Sequence, residues 1–255
     1  MTRYRRMRLV RQVMTTALRP KALILMYHRV AEERDDRLNL AVTPAHFAEQ
    51  MEVLQRIARP APLTEVADSR GSAATRAVAV TFDDGYVDNV TAARPVLHRF
   101  GVPATFFIAS GYVGASANFW WDDPCAAKLP VSADAVAGLG SDPLIDVGAH
   151  TVTHPRLAGR PPAEQESEIR ASRLHLQELT GASVTSFAYP FGGPGDYTSE
   201  TIGLVQRAGF ACACTSVAGA VRAGTDVFQL PRMHVLDWNG DEFARRLRWW
   251  FASQW

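Results

Sequence analysis

The 255-residue chain is long enough for one large domain, because a fold of this size buries roughly three quarters of the surface that its unfolded chain exposes. Its 27 lysines and arginines nearly balance its 26 aspartates and glutamates, so the overall charge gives no reason to expect a nucleic-acid partner. No uninterrupted apolar run reaches the roughly 18 residues that a membrane-spanning helix needs.

The first twenty residues are locally basic. Apolar residues recur among their arginines at roughly helical spacing. The arginines are Arg3, Arg5, Arg6, Arg8, Arg11 and Arg19, and the apolar residues are Tyr4, Met7, Val10, Met14 and Leu18. Such a segment is predicted to lie on an anionic membrane surface or to pack on the domain, and both alternatives stay open. We therefore divide the chain into a basic N-terminal helix or tail at 1–20 and one domain at 21–255.

Strand and helix patterns alternate through that domain. Strands are predicted at 23–27, 77–82, 104–109, 144–149, 184–189, 210–215 and 228–235. Helices are predicted at 44–58, 88–100, 163–180, 198–208 and 240–251, and an irregular excursion at about 111–143 interrupts the rhythm. Repeated strand–helix units imply parallel strands covered by helices. We predict a single-domain α/β fold, a distorted or incomplete (β/α)7–8 barrel.

The cysteines bear on the compartment. Cys125, Cys212 and Cys214 are odd in number, and the last two lie two residues apart in an apolar run, on one face of a predicted strand. Reduced, buried thiols are the simplest interpretation. We therefore predict a cytoplasmic protein, associated with the inner face of the membrane if the basic segment binds lipid.

Candidate site residues lie at or just after the ends of five predicted strands. His28, the pair Asp83 and Asp84, His150 and Phe191 each come just after a strand. Arg232 and His234 lie toward the end of the last one. Because the carboxyl ends of parallel barrel strands open on one face, we expect these side chains to gather there.

One aspartate and two histidines form the predicted metal site. Asp84, His150 and His154 supply an oxygen and two imidazole nitrogens, a set that leaves positions open for water and substrate, as in catalytic zinc sites. A His-x-x-x-His pair alone is more often a turn or a surface helix, but the Asp-Asp-Gly sequence at another strand end favours a metal. Co²⁺, Ni²⁺ or Mn²⁺ would also suit these ligands. Asp83 then stays ionised beside the ion as a base, unless it is only a helix cap.

Three sequence stretches resemble motifs of the polysaccharide deacetylase family, also called the NodB-homology domain. They are Thr-Phe-Asp-Asp-Gly at 81–85, His-Thr-Val-Thr-His-Pro at 150–155 and Tyr-Pro-Phe-Gly at 189–192. The resemblance implies a distorted barrel that hydrolyses the N-acetyl group of an amino sugar with a divalent metal, usually zinc. It also implies that Asp83 is the base and that the Phe191 main-chain N–H helps to hold the oxyanion.

The chain departs from the family pattern in two places. Ala188 stands where many members have an arginine that orients the base, so Arg232 is either its replacement or an ordinary surface arginine. The usual late acid motif is not obvious. Tyr27-His28 is similar to the Tyr-His motif of the poly-N-acetylglucosamine deacetylase branch, so we favour His28 over His234 as the general acid.

Aromatic residues are the candidates for sugar binding. Trp120 and Trp121 lie in the irregular excursion, where they form either an aromatic wall beside the metal or an anchor for the excursion. Tyr189 and Trp238 are further candidates for substrate contact.

The substrate that we expect is an N-acetylated saccharide: a glycan, an oligosaccharide or a lipid-linked intermediate. Two alternatives remain. The first is hydrolysis of a small non-carbohydrate amide, which a pocket closed to oligosaccharides would favour. The second is a catalytically silent carbohydrate-binding protein, which metal content without deacetylation would favour.

Overall fold

The computed structural model describes residues 22–33, 36–68, 76–122 and 129–253, so the basic segment at 1–20 and Cys125 lie outside the described residues. The strands are β1 (Ala22–Tyr27), β2 (Arg29–Val30), β3 (Ala41–Val42), β4 (Arg59–Pro60), β5 (Ala77–Phe82), β6 (Ala104–Ile108), β7 (Ile145–Ala149), β8 (Ser186–Ala188), β9 (Cys212–Cys214) and β10 (Met233–His234). The helices are α1 (Pro44–Ile57), α2 (Leu63–Asp68), α3 (Arg94–Phe100), α4 (Ala133–Leu139), α5 (Pro162–Thr180), α6 (Ser199–Arg207) and α7 (Gly240–Ala252).

The central sheet is parallel and runs in the order β10-β1-β5-β6-β7-β8-β9, with β4 paired to β5 outside this path. A bridge between Cys214 and Leu230 continues the pairing from β9 toward β10. The helices surround this sheet, and β2 and β3 form a small separate sheet. The predicted distorted (β/α) barrel is therefore confirmed.

The alignment of β1 and β5 positions the first site residues. Both strands are buried along all six residues, as expected for strands covered on both faces. Ala22 pairs with Ala77 at one end and Tyr27 with Phe82 at the other. The Asp83 N–H donates to the Tyr27 carbonyl at 3.0 Å, so the two strands end at the same level.

Helix ends follow the signals in the sequence. Thr43 caps α1 through its side chain, and Pro44 follows at a first-turn position, where its missing N–H costs no hydrogen bond. Gly181 ends α5 with a φ of 66°. The helix predicted at 88–100 is interrupted, because Asn89–Ala93 forms a π-helical turn before α3. Pro95 explains the interruption, since it removes one N–H from the α-helical ladder and crowds the preceding turn.

Two other predictions need correction. The strand predicted at 228–235 is reduced to Met233–His234, because Pro231 cannot donate to a strand ladder and Leu230 makes only an isolated bridge. The irregular excursion contains the short helix α4, whose cap is Ser132. Within the described ranges, no helix combines the length and the apolar character of a membrane span.

Candidate metal centre and hydrolytic site

A tight turn after β5 separates the two adjacent aspartates. Asp84 and Gly85 have φ values of 74° and 87°, and the Gly85 N–H donates to the Asp83 carbonyl at 3.0 Å. A Cβ on Gly85 would lie 2.9 Å from the Ile108 side chain, so glycine is required for space as well as for φ. The Ala109 N–H donates to the Asp84 carbonyl and ties the turn to the end of β6.

The loop after β7 carries both histidines. Its backbone enters the left-handed region at Thr151, with φ 65°, and at His154, with φ 57°. The Thr151 hydroxyl donates to the His150 carbonyl and accepts from the His154 N–H at 3.0 Å. This local network turns the chain so that two imidazoles four residues apart face the same point.

Glu168, on α5, holds the same loop from outside. Its carboxylate accepts the N–H groups of Val152 and Thr153, each at 2.8 Å, and the Thr153 hydroxyl at 2.7 Å. Sequence reasoning missed this residue, because no local pattern connects a helix carboxylate with a loop more than ten residues earlier. Three charge-assisted bonds make Glu168 the principal clamp on the histidine loop.

Asp84, His150 and His154 converge in one buried cluster. The Asp84 Oδ1 atom lies 3.5 Å from the His150 Nε2 atom and 3.4 Å from the His154 Nε2 atom. All three ligand atoms lie within 4.8 Å of one another. Two donor atoms about 2.1 Å from a tetrahedral ion are about 3.4 Å apart, so these distances fit a divalent metal.

Different contacts orient the two imidazoles. His150 donates from Nδ1 to the Ala188 carbonyl at 2.8 Å, which leaves the lone pair of Nε2 directed at the cluster, the tautomer that binds metal. The His154 Nδ1 atom is buried and has no hydrogen-bond partner among the described residues. Its ring instead packs 4.4 Å from the Trp121 ring and 5.0 Å from the Phe191 ring, centroid to centroid.

The electrostatics of the cluster suit a cation. Burial acts to raise the pKa of Asp84. The hydrogen bond and charges of the two imidazoles outweigh this effect, so the net pKa lies below the usual value. Burial lowers the pKa of His154 to about 4, and this ring is therefore neutral at neutral pH. Burial also acts to lower the pKa of His150, but the hydrogen bond to Asp84 and the two carboxylate charges raise it overall. The carboxylates thus favour a positive charge at this cluster.

The Asp83 carboxylate is paired with Arg232. The guanidinium donates two parallel hydrogen bonds, from Nη1 to Oδ1 at 2.7 Å and from Nη2 to Oδ2 at 2.6 Å. Further bonds to the Thr215 carbonyl and the Thr81 hydroxyl fix the fork, and Arg232 is only 1% exposed. It is therefore not a surface arginine. Burial raises the pKa of Asp83, but the charges of Arg232 and His150 outweigh it and hold the net pKa well below the usual range.

His28 and His234 form a second pair of imidazoles. Their ring centroids are 5.5 Å apart, with the planes nearly perpendicular. The His28 Nδ1 and His234 Nε2 atoms are buried without a hydrogen-bond partner in the described part of the chain. Burial, reinforced by the neighbouring His28, lowers the pKa of His234 to about 4.

The main chain at Phe191 has the properties of an oxyanion donor. Phe191 has a φ of 60°, and its N–H makes no hydrogen bond within the described residues. Its carbonyl accepts from the Ser216 hydroxyl, and its ring lies between His154 and the guanidinium of Arg156, which is 4.1 Å from the ring centroid. The segment is thus held while its N–H remains available.

The two tryptophans of the excursion have separate positions. Trp121 is an anchor: its indole N–H donates to the Tyr86 hydroxyl at 2.9 Å, and that hydroxyl donates to Asp122 at 2.8 Å. Trp120 is 63% exposed, with its ring centroid 6.5 Å from that of Phe191. Trp121 therefore anchors the excursion, whereas the aromatic wall for a sugar stays a prediction for the exposed Trp120. Tyr86, which follows the Asp-Asp-Gly turn, was not predicted.

Two predicted substrate contacts do not join this group. The Tyr189 hydroxyl donates to the Phe228 carbonyl, and its ring stacks 4.1 Å from that of Tyr197. The Trp238 ring packs 6.0 Å from the Trp250 ring, with the Arg246 guanidinium 4.0 Å from its own centroid. The described contacts of both rings are therefore structural.

Comparison with known proteins adds independent findings. A family profile described as polysaccharide deacetylase matches residues 70–213, more than half of the chain. The Bacillus subtilis (strain 168) protein YxkH, provisionally named a polysaccharide deacetylase, is 26% identical over 215 residues, which cover 84% of this chain and 71% of YxkH.

Solved structures agree in fold. The Streptococcus pyogenes deacetylase PplD, in complex with acetate, has a TM-score of 0.76 at 22% identity, covering 91% of this chain and 99% of PplD. IcaB from Ammonifex degensii has a TM-score of 0.74 at 25% identity, covering 90% and 97%. The profile match includes both aspartates and both cluster histidines, whereas His28, Arg232 and His234 lie outside it.

Proposed function

Because the chain belongs to the polysaccharide deacetylase family, we propose that it is a metal-dependent hydrolase that removes the N-acetyl group from an amino sugar of a glycan, an oligosaccharide or a lipid-linked saccharide. One observation carries the proposal. A buried cluster of one carboxylate and two imidazoles lies beside a second carboxylate that an arginine keeps ionised. Metal-assisted hydrolysis of an unactivated amide uses such a cation site together with a base.

The ion in this proposal is Zn²⁺, held by Asp84, His150 and His154, although Co²⁺, Ni²⁺ or Mn²⁺ would suit the same ligands. When bound, it supplies Lewis-acid polarisation of the amide carbonyl and raises the acidity of water.

Asp83 is the proposed base. It takes a proton from the attacking water while the water oxygen bonds to the amide carbon. Arg232 supports this role in two ways, because its charge keeps the carboxylate ionised and its fork fixes the direction of the carboxylate. The same charge weakens the carboxylate as a base, so Asp83 depends on a water that is already acidified.

The remaining groups serve the oxyanion and the leaving amine. The free Phe191 N–H is suited to donate to the developing oxyanion. As the C–N bond breaks, the amine nitrogen takes a proton from His28, which leaves acetate and the free amino sugar. The low pKa of His234 supports this choice, since a ring that is neutral at neutral pH has no second proton to give.

The rim of the site suits a sugar. Trp120 is largely exposed and Phe191 is 36% exposed, so together they offer an apolar platform beside His154. The apolar face of a pyranose ring stacks on such surfaces. We assign the sugar platform to these two residues, without Tyr189 or Trp238.

An acetate-release screen tests the function. The zinc-loaded protein is assayed against N-acetylated mono-, oligo- and lipid-linked saccharides, with the chelated protein and the Asp83→Asn variant as controls. We expect acetate release from at least one saccharide class and from neither control. Tight metal binding without acetate release from any saccharide would contradict the proposal and favour a silent carbohydrate-binding protein.

A further inference from the structure

The end of the barrel opposite the metal cluster, where the strands begin, carries two arginines beside the start of β1. Ala22 starts β1 there, pairing with Ala77 of β5 on one side and exchanging two backbone hydrogen bonds with Val221 on the other. Arg76 and Arg222 are the neighbours of these two partners. They therefore flank the point where the chain enters β1.

No ion pair with Arg76 or Arg222 occurs among the described residues, and Arg76 is exposed. The Nε and Nη2 atoms of Arg222 are buried and have no hydrogen-bond partner there. No described carboxylate compensates the positive charge of this guanidinium.

The last helix extends the same face. The Arg76 guanidinium lies 5.8 Å from the Phe251 ring centroid, which brings the final turn of α7 to the base of the barrel. Arg248 and Trp249 in that turn are exposed, Trp249 by 55%, and no described ion pair involves Arg248. Tryptophan beside cations is typical of surfaces that enter the interface of a membrane.

The sequence before Ala22 has the same character. Residues 1–21 contain seven basic residues and no acidic one, which leaves 20 basic and 26 acidic residues for the rest of the chain. Apolar residues alternate with the arginines in this segment. The positive charge of the sequence is therefore concentrated in the segment that precedes β1.

We propose that this barrel base, formed by Arg76, Arg222, Arg248 and Trp249, docks on a surface of anionic phospholipid together with the preceding basic segment. Charge complementarity favours an anionic surface, and the exposed tryptophan favours lipid over a purely polar polyanion. The cytoplasmic leaflet carries such lipids.

Docking at the base would direct the metal cluster away from the lipid. A six-residue strand is about 20 Å long, so the reacting acetamido group would lie at least that far from the lipid headgroups. The substrate would then be the outer part of a saccharide rather than a sugar attached directly to the lipid. This consequence depends on the proposed deacetylase function, whereas the docking does not.

Vesicle co-sedimentation of the full chain tests the docking. We use vesicles of phosphatidylcholine alone and of equal parts phosphatidylcholine and phosphatidylglycerol. We expect binding to the mixed vesicles only, weakened by salt. Each arginine near an anionic leaflet strengthens binding by about fivefold, so the double variant Arg76→Glu with Arg248→Glu should lose more than tenfold.

Two further variants distinguish an effect of the barrel base from an effect of the overall charge of the protein. Arg170→Glu on α5 changes the same type of charge at an exposed position elsewhere, and we expect less than a twofold effect. Trp249→Ala should weaken binding without lowering the melting temperature. Acetate release from a soluble saccharide should be unchanged in the double variant, so docking and catalysis can fail separately.

Several results would overturn the proposal. They are a lack of preference for phosphatidylglycerol, equal losses in the double variant and Arg170→Glu, and tighter binding to duplex DNA than to the mixed vesicles. Equal binding by parent and double variant would assign all the affinity to residues 1–21 and remove the barrel base from the interface.

Discussion

The two sides of the site are built by different means, although both begin from one turn after β5. On the base side, a buried ion pair between Asp83 and Arg232 fixes the carboxylate by charge. On the ligand side, the Ala188 carbonyl, hydrogen bonds within the loop, the Glu168 clamp and contacts between rings fix His150 and His154. Adjacent residues in the sequence thus enter environments of opposite character.

The difference matches what each side must do. A base has to be ionised at neutral pH, and a neighbouring guanidinium ensures this even in a buried place. Imidazole ligands bind a metal in the neutral form, so a cation beside them would oppose metal binding. Carbonyls, aromatic rings and the Glu168 carboxylate hold this side instead. The contrast leads to predictions in which each side is disrupted separately.

The largest effect should come from breaking the ligand side. His150→Ala removes one of three donors, and we expect metal affinity to fall by at least about 100-fold, because even the loss of a supporting residue costs 10- to 100-fold. Acetate release should disappear with the metal. Competition with a chromogenic chelator measures the affinity, and full metal content in this variant would contradict the ligand assignment.

Breaking the base side alone should stop turnover and spare the metal. Asp83→Asn is nearly isosteric, and we expect a loss in kcat of about 10³-fold, within the usual contribution of a general base. Zinc content should match that of the parent. Asp84→Asn is the matched control on the neighbouring residue and should lose metal as well. Equal activity of Asp83→Asn and the parent would refute the role of Asp83.

Removing the charge that fixes the base should change the pH dependence. Arg232→Gln leaves the Asp83 carboxyl buried without its partner, so the pKa of Asp83 rises. The acid side of the pH–activity profile should therefore shift to higher pH. Breaking a buried pair costs roughly 3–5 kcal/mol of unfolding free energy.

The sign of the stability effect follows from linkage. In the parent, the pKa of Asp83 is lower in the folded than in the unfolded state, so the pair stabilises the fold above the unfolded value of about 3.9. That stabilisation is lost as the pH falls through the folded pKa, and the parent and variant should converge in strong acid. Urea unfolding from pH 8 down to about pH 1 measures this. Arg232→Lys keeps the charge without the fork and should lie between the two.

A smaller effect should follow from loosening the ligand side at a distance. Glu168→Gln weakens the clamp on the histidine loop, and we expect about tenfold lower zinc affinity, measured by chelator competition. Glu166→Gln, two residues earlier on the same helix and paired with Arg170 at the surface, should leave the affinity unchanged. Equal zinc affinities of the two variants would show that the histidine loop keeps its conformation without Glu168.

The same contrast explains which parts could be predicted from sequence. The barrel could be predicted because buried strands such as 77–82 are short apolar runs between helical patterns. The metal cluster could be predicted because its residues immediately follow such strands. For Arg232 the sequence left two roles open, a partner of the base or a surface arginine, since nothing local distinguishes a buried arginine from an exposed one. Glu168 and Tyr86 act through contacts made only in the folded chain, and no spacing rule indicates them.

Four of the six non-glycine residues with positive φ in the described structure belong to the site: Asp84, Thr151, His154 and Phe191. Side-chain-bearing residues in this backbone region cost about 1 kcal/mol or more each, and branched Thr151 is among the least tolerant. Together they amount to a sizeable fraction of the 5–15 kcal/mol by which a domain is stable. Selection for heat tolerance alone would therefore favour replacement of these site residues. A thermostable variant that keeps the site needs substitutions elsewhere in the barrel.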